Sequence, residues 1–162
     1  MEAALELPVR VSDRERKIKS VLFVCTGNTC RSPMAAAWLT HFGAKCGYVA
    51  NSAGLFPSVG APISANAVHA LKSAGVEPSP DNRYDLHTAR PVTEELVAAA
   101  DVVVGISKRH AMELIFAFPK YADKIVSMPR DIPDPFGGTA EDYEVCLTAI
   151  VGCIKEMFTL EL

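Results

Sequence analysis

Residues 21–35 read VLFVCTGNTCRSPMA. An apolar run that begins at Ser20 stops at Cys25, five residues separate Cys25 from Arg31, and Ser32-Pro33 opens a new stretch. The run is β-branched and apolar with no polar alternation, which predicts a strand buried on both faces. Serine followed by proline predicts a helix start, with Ser32 as N-cap and Pro33 in the first helical position. That helix should carry Met34 to about Phe42 and stop near Gly43. Strand, short loop and helix in succession are the beginning of a parallel α/β unit.

The rest of the chain repeats the alternation. YVANSAG (48–54) predicts a second strand, and SANAVHALKSAGV (64–76) a helix that places Ala67, Ala70, Leu71 and Ala74 together and stops at Gly75. VTEELVAAA (92–100) predicts a helix capped by Thr93, with two acids in its first turn and Val92 stapled to Val97. DVVVGI (101–106) predicts a third buried strand, followed by a helix through Ala111, Leu114, Ile115 and Phe118. KIVSM (124–128) predicts a fourth strand, and PRDIPDPFGG (129–138) is too rich in proline and glycine for regular structure. Thr139 and Asp142 then form a capping box for a last helix, whose buried face should be Tyr143, Cys146, Leu147, Ile150, Cys153, Ile154 and Met157. The expected fold is α/β: one domain over 20–162, an open sheet of about four parallel strands with helices on both faces. Residues 1–19 show no sustained periodicity and read as an N-terminal extension.

Composition excludes several classes. The net charge of -3 over 162 residues argues against a general nucleic-acid binder. The basic residues of RVSDRERKIKS are interrupted by Asp13 and Glu15, which fits a solvated segment better than a polyanion site. Five cysteines without a C-x-x-C pair, and no secretory apolar region at the start, suit free thiols in the cytoplasm. Asp101 splits the longest apolar run, so no membrane span is expected. No cysteine or histidine pair has zinc-ligand spacing.

Ligands of open parallel sheets bind beyond the carboxyl ends of the strands. The loop 25–32 falls there, at the N-terminus of a helix, where backbone N–H groups and the helix dipole favour an anion. Gly27 allows unusual backbone angles and Asn28 can lock the loop through its amide. Arg31 brings a planar fork suited to two oxygens of a phosphate. Cys25 at the floor of the same cradle feels the N–H groups and the guanidinium, both of which favour the thiolate. Ser32 can donate to the sulfur. A thiolate beneath a bound phosphate is placed for in-line attack on phosphorus.

The string strand, C-T-G-N-T-C-R-S-P, helix resembles the phosphate-binding loop of the low-molecular-weight protein-tyrosine-phosphatase family. The likeness continues through SAG (52–54), ANAVHAL (65–71), HTARPVTEEL (87–96), DVVVGIS (101–107) and DPFGG (134–138), so that only the N-terminal segment lies outside it. The resemblance implies a four-stranded parallel sheet, phosphorylated protein substrates, and no metal or organic cofactor. It implies Cys25 as nucleophile and Arg31 as the ligand of the phosphate and of the transition state. Thr26, Gly27, Asn28, Thr29, Cys30 and Ser32 complete the phosphate-binding loop. Asp134, in the D-P motif, is implied as general acid, with Asp131 the rival that lacks a following proline.

The family holds tyrosine phosphatases, arginine phosphatases and arsenate reductases. The last use a later cysteine pair, and this chain has no cysteine between Cys46 and Cys146. The sequence resembles the arginine phosphatases most, on Thr29 and on DPFGG. A threonine at this place is a smaller wall than the isoleucine common in tyrosine-selective members, and its hydroxyl can orient a guanidinium leaving group. Phe136 followed by two glycines lacks the second aromatic of a phenol slot. Phosphotyrosine remains the alternative substrate, and a phosphate-binding or thiol redox-sensing protein the distant one. Cys30 is either a redox partner that protects Cys25 through a disulfide, as in the family, or a small buried side chain. His69 and His87 are assigned no chemistry, and Trp38 is expected in helix core or at a rim.

Overall fold

The computed structural model describes residues 18–162. The extension expected over 1–19 therefore lies outside the described residues, except for Ile18 and Lys19. Ile18 is buried in the core, and the Lys19 N–H donates to Asp101.

Four strands, β1 (Ser20–Cys25), β2 (Val49–Gly54), β3 (Val102–Gly105) and β4 (Ile125–Ser127), form one sheet in the order β2-β1-β3-β4. All three pairings are parallel. Among the described residues five helices cover it: α1 (Arg31–Phe42), α2 (Ala65–Ser73), α3 (Glu94–Ala99), α4 (Lys108–Ala117) and α5 (Ala140–Met157). Strand side chains alternate between faces, and β1 shows the consequence. Val21, Phe23 and Cys25 enter a cluster with Met34, Leu39, Leu71, Ile150 and Ile154 from α1, α2 and α5. Leu22 and Val24 enter a second cluster with Val97, Ala111 and Leu114 from α3 and α4. A strand packed on both faces must be apolar throughout, and only its carboxyl end is free to meet a ligand. The expected α/β class, strand number and two-sided cover are those of the structure.

Two of the three expected caps are found, at Thr93 and Thr139, and the third, Ser32, is not. The Thr93 and Thr139 side chains accept the N–H groups of Leu96 and Asp142, and all seven residues expected on the inner face of α5 are buried. Three boundaries differ. The helix after the first loop begins at Arg31, with Cys30 in the cap position and no side-chain cap, because the Ser32 hydroxyl is engaged by Cys25 and Asn28. Ala74 terminates α2 rather than belonging to it. Phe118 terminates α4, since the residue before Pro119 is disfavoured in helical geometry. Trp38 is core, tilted against Phe42 at 4.7 Å. Among the described residues no helix is long and apolar enough to cross a membrane.

Candidate active site

The β1–α1 loop curls around Cys25, which is buried. The Asn28 N–H donates to its sulfur at 3.3 Å, and the Ser32 oxygen lies 2.9 Å from it. Asn28 also donates through Nδ2 to Ser32 Oγ at 2.9 Å, which leaves the Ser32 hydroxyl hydrogen free for the sulfur. Both contacts direct hydrogen-bond donors at the sulfur.

Asn28 is the keystone of the loop. It is fully buried with φ of 61°, the left-handed region that non-glycine residues rarely adopt. The unusual backbone expected at Gly27 is found here instead: asparagine tolerates the conformation and its side chain locks it. Nδ2 donates to Ser52 Oγ at 3.0 Å, and Oδ1 accepts the Arg90 N–H at 3.0 Å. The Asn28 carbonyl accepts from His87 Nε2 at 2.9 Å, so that ring nitrogen must carry the proton. Burial pushes the His87 pKa down, only partly offset by this bond. His87 thus supports the loop through a structural hydrogen bond, while His69 is exposed beside Glu144. Gly54 sits under the loop, where a Cβ would come within 2.7 Å of the Thr26 carbonyl. Only glycine lets the ends of β1 and β2 approach this closely.

Arg31 is buried at the start of α1, its Nη1 donating to the Ile132 carbonyl at 2.8 Å and its Nη2 lying 3.8 Å from Asp134. Asp134 is half-exposed, and Oδ1 accepts the Phe136 N–H at 3.1 Å. Asp131 points elsewhere: its carboxylate accepts the Lys108 N–H, at the N-terminus of α4. Of the two candidate acids, Asp134 lines the cavity over Cys25 and Asp131 does not.

That cavity, about 370 Å³, is lined by residues 25–31 together with Phe56, Ser58, Ala61, Asp134 and Phe136. Phe56 and Phe136 are 73% and 74% exposed, so two aromatic faces stand free at the mouth. Phe56 was not singled out in the sequence. It comes from the loop after β2, and its N–H donates to the Thr26 carbonyl. The cavity therefore has the second aromatic that the glycines after Phe136 fail to provide. Thr29 alone remains as the local feature suggesting a guanidinium.

Two further supports carried no sequence signal. His110 is buried on α4, where Nδ1 accepts the Ser107 N–H and Nε2 lies 2.9 Å from Thr26 Oγ1. With Nδ1 accepting, the neutral ring holds its proton on Nε2 and donates to Thr26. Burial and then the Arg31 charge push its pKa down to about 4. Tyr143, expected only as core, reaches Cys30 with its hydroxyl 3.2 Å from Sγ. Burial raises the Cys30 pKa, and Cys25 and Cys30 are both free thiols.

A buried sulfur under converging donors, an arginine at a helix N-terminus and a carboxylate across the cavity define a cysteine-dependent phosphatase site. Comparison with known proteins agrees. The chain belongs to the low molecular weight phosphotyrosine protein phosphatase family, whose profile matches residues 20–160. It is 35% identical over 133 residues to a protein-arginine-phosphatase of Bacillus subtilis, covering 76% of this chain and 84% of that one. It is 30% identical over 135 residues to the low molecular weight protein-tyrosine-phosphatase Wzb of Salmonella typhi, covering 80% and 85%. Among solved structures, the low molecular weight protein tyrosine phosphatase of T. tengcongensis superposes with a TM-score of 0.76 at 35% identity, covering 85% of this chain and 96% of that one.

Proposed function

We propose that the protein hydrolyses phosphoarginine in proteins through a phosphocysteine intermediate. The Cys25 thiolate attacks phosphorus in line, forming the S–P bond as the P–N bond to the guanidinium breaks. Arg31 and the loop N–H groups hold the phosphoryl oxygens as charge redistributes. Asp134 gives a proton to the departing nitrogen, then takes one from the water that attacks the phosphocysteine, releasing inorganic phosphate. Asn28 and Ser32 hold the sulfur in place. The remaining loop residues, Thr26, Gly27 and Cys30, shape the cradle.

The observation that carries arginine over tyrosine is Thr29, whose small side chain lines the cavity and brings a hydroxyl to its wall. The guanidinium has N–H donors for that oxygen, and a phenol leaving group has none. One such bond contributes about 0.5–1.5 kcal/mol, a factor of roughly two to ten. The somewhat higher identity to the arginine phosphatase than to Wzb supports the same reading. Phosphotyrosine is the second reading, favoured by the pair Phe56 and Phe136 at the mouth and by the T. tengcongensis relative. The deciding experiment is kcat/KM for phosphoarginine and phosphotyrosine on one reduced preparation, with Cys25→Ser as blank. A preference for phosphoarginine of about tenfold or more, ~1.4 kcal/mol in transition-state binding, is expected. A preference for phosphotyrosine sinks the arginine assignment and leaves the roles of Cys25, Arg31 and Asp134 standing.

A further inference from the structure

Tyr143 has no part in the mechanism above, yet it closes a ring behind Thr29. Its hydroxyl lies 3.2 Å from Cys30 Sγ, and that sulfur lies 3.6 Å from Thr29 Oγ1. On the other side the hydroxyl faces the Ser64 side chain. The Ser64 N–H in turn donates to the Thr29 carbonyl at 3.0 Å. Ser64 occupies the N-cap position of α2 but its side chain caps nothing, so its hydroxyl is available to the phenol. Both the side chain and the backbone of Thr29 are thus held by groups that meet at Tyr143. The phenol is buried, and burial above all pushes its pKa up to about 12, so it remains a donor across the working range.

We propose that Tyr143 is a positioning residue for substrate selectivity, holding Thr29 through Cys30 and Ser64 so that the Thr29 oxygen presents its lone pairs to the cavity. The proposal rests on the phosphoarginine reading above. In the proposed arrangement the Thr29 O–H donates to Cys30 Sγ, the Cys30 S–H to Tyr143 Oη, and the Tyr143 O–H turns to Ser64 Oγ. With its hydrogen spent on sulfur, the Thr29 oxygen faces the cavity as a pure acceptor. A guanidinium leaving group offers only N–H donors and is recognised by an acceptor. Without the phenolic oxygen, the Cys30 S–H can turn to Thr29 Oγ1, 3.6 Å away. The order then reverses and a lone pair is lost to the protein itself.

The test is Tyr143→Phe, which removes one oxygen and preserves the packing of α5. Two peptides of the same flanking sequence, one carrying phosphoarginine and one phosphotyrosine, are assayed with both proteins. The ratio of kcat/KM should fall about three- to tenfold in the variant, through the phosphoarginine arm. General loosening of the site would lower both arms together, so an unchanged ratio overturns the proposal. The Thr29 χ1 angle, from three-bond NMR couplings, gives a readout independent of substrate. If the unmodified protein shows no phosphoarginine preference, the functional reading fails, and χ1 then decides the clamp. One rotamer giving way to averaging in Tyr143→Phe supports it; a rotamer unchanged overturns it. Should Tyr143→Phe fold poorly, Ser64→Ala leaves the aromatic packing intact and carries the same expectations.

Discussion

Replacing Asn28 by alanine should cost the protein about 4 kcal/mol of stability. The side chain makes three hydrogen bonds, two buried, to Ser32 Oγ and Ser52 Oγ, and one part-buried, from the Arg90 N–H. At about 1 kcal/mol each, their loss amounts to roughly 3 kcal/mol. The backbone adds to it: φ stays near 61° because His87 still holds the carbonyl, and alanine in that region costs about 1 kcal/mol more than asparagine, whose polar side chain compensates locally. Urea unfolding followed by intrinsic fluorescence measures the difference, and Asn28→Gly separates the two contributions. Glycine loses the same bonds without the Cβ strain, so it should be about 1 kcal/mol more stable than the alanine protein. Turnover should fall in both, because the Ser32 hydroxyl is no longer fixed on the Cys25 sulfur. An alanine protein destabilised by less than about 1 kcal/mol would refute the view that this side chain locks the loop.

Asp134→Asn should reduce kcat by about 10²- to 10⁴-fold, the usual range for a general acid, while Asp131→Asn should act on stability with far less effect on chemistry; equal kinetic losses would mean that the acid has been misassigned. His110, whose pKa is pushed down from 6.5 to about 4 by burial and the Arg31 charge, is a base held neutral by folding. Its contribution is present above the unfolded value and disappears as pH falls through the interval between 6.5 and 4. The loss approaches ~3 kcal/mol, so His110→Asn should flatten the acid limb of a stability-versus-pH curve, and an identical limb in both proteins would count against a buried neutral ring. Mild peroxide should convert Cys25 to the sulfenic acid, which the Cys30 thiol condenses with, releasing water and forming a disulfide. Activity should then return on reduction, and peptide mapping that finds Cys25 over-oxidised with Cys30 still free would leave Cys30 a packing residue.

The sequence by itself determined the class of the fold and the chemical centre. Both are local: a strand buried on two faces must be apolar without interruption, a capped helix announces itself within four residues, and Cys25 and Arg31 share one short loop. The order of the strands, with β2 at the edge and β3 on the far side of β1, was decided by which faces could be buried together. Tertiary structure alone supplied Phe56, His87, Arg90, His110 and Tyr143. Each meets the loop from an element distant in the chain, and each is a residue type that occurs as readily in cores and on surfaces. Tyr143 shows the limit well: helical periodicity placed it on the inner face of α5, but 113 positions separate it from the Cys30 sulfur it touches. Periodicity tells a side chain which way to face, and only the packed sheet and helices decide what it meets there.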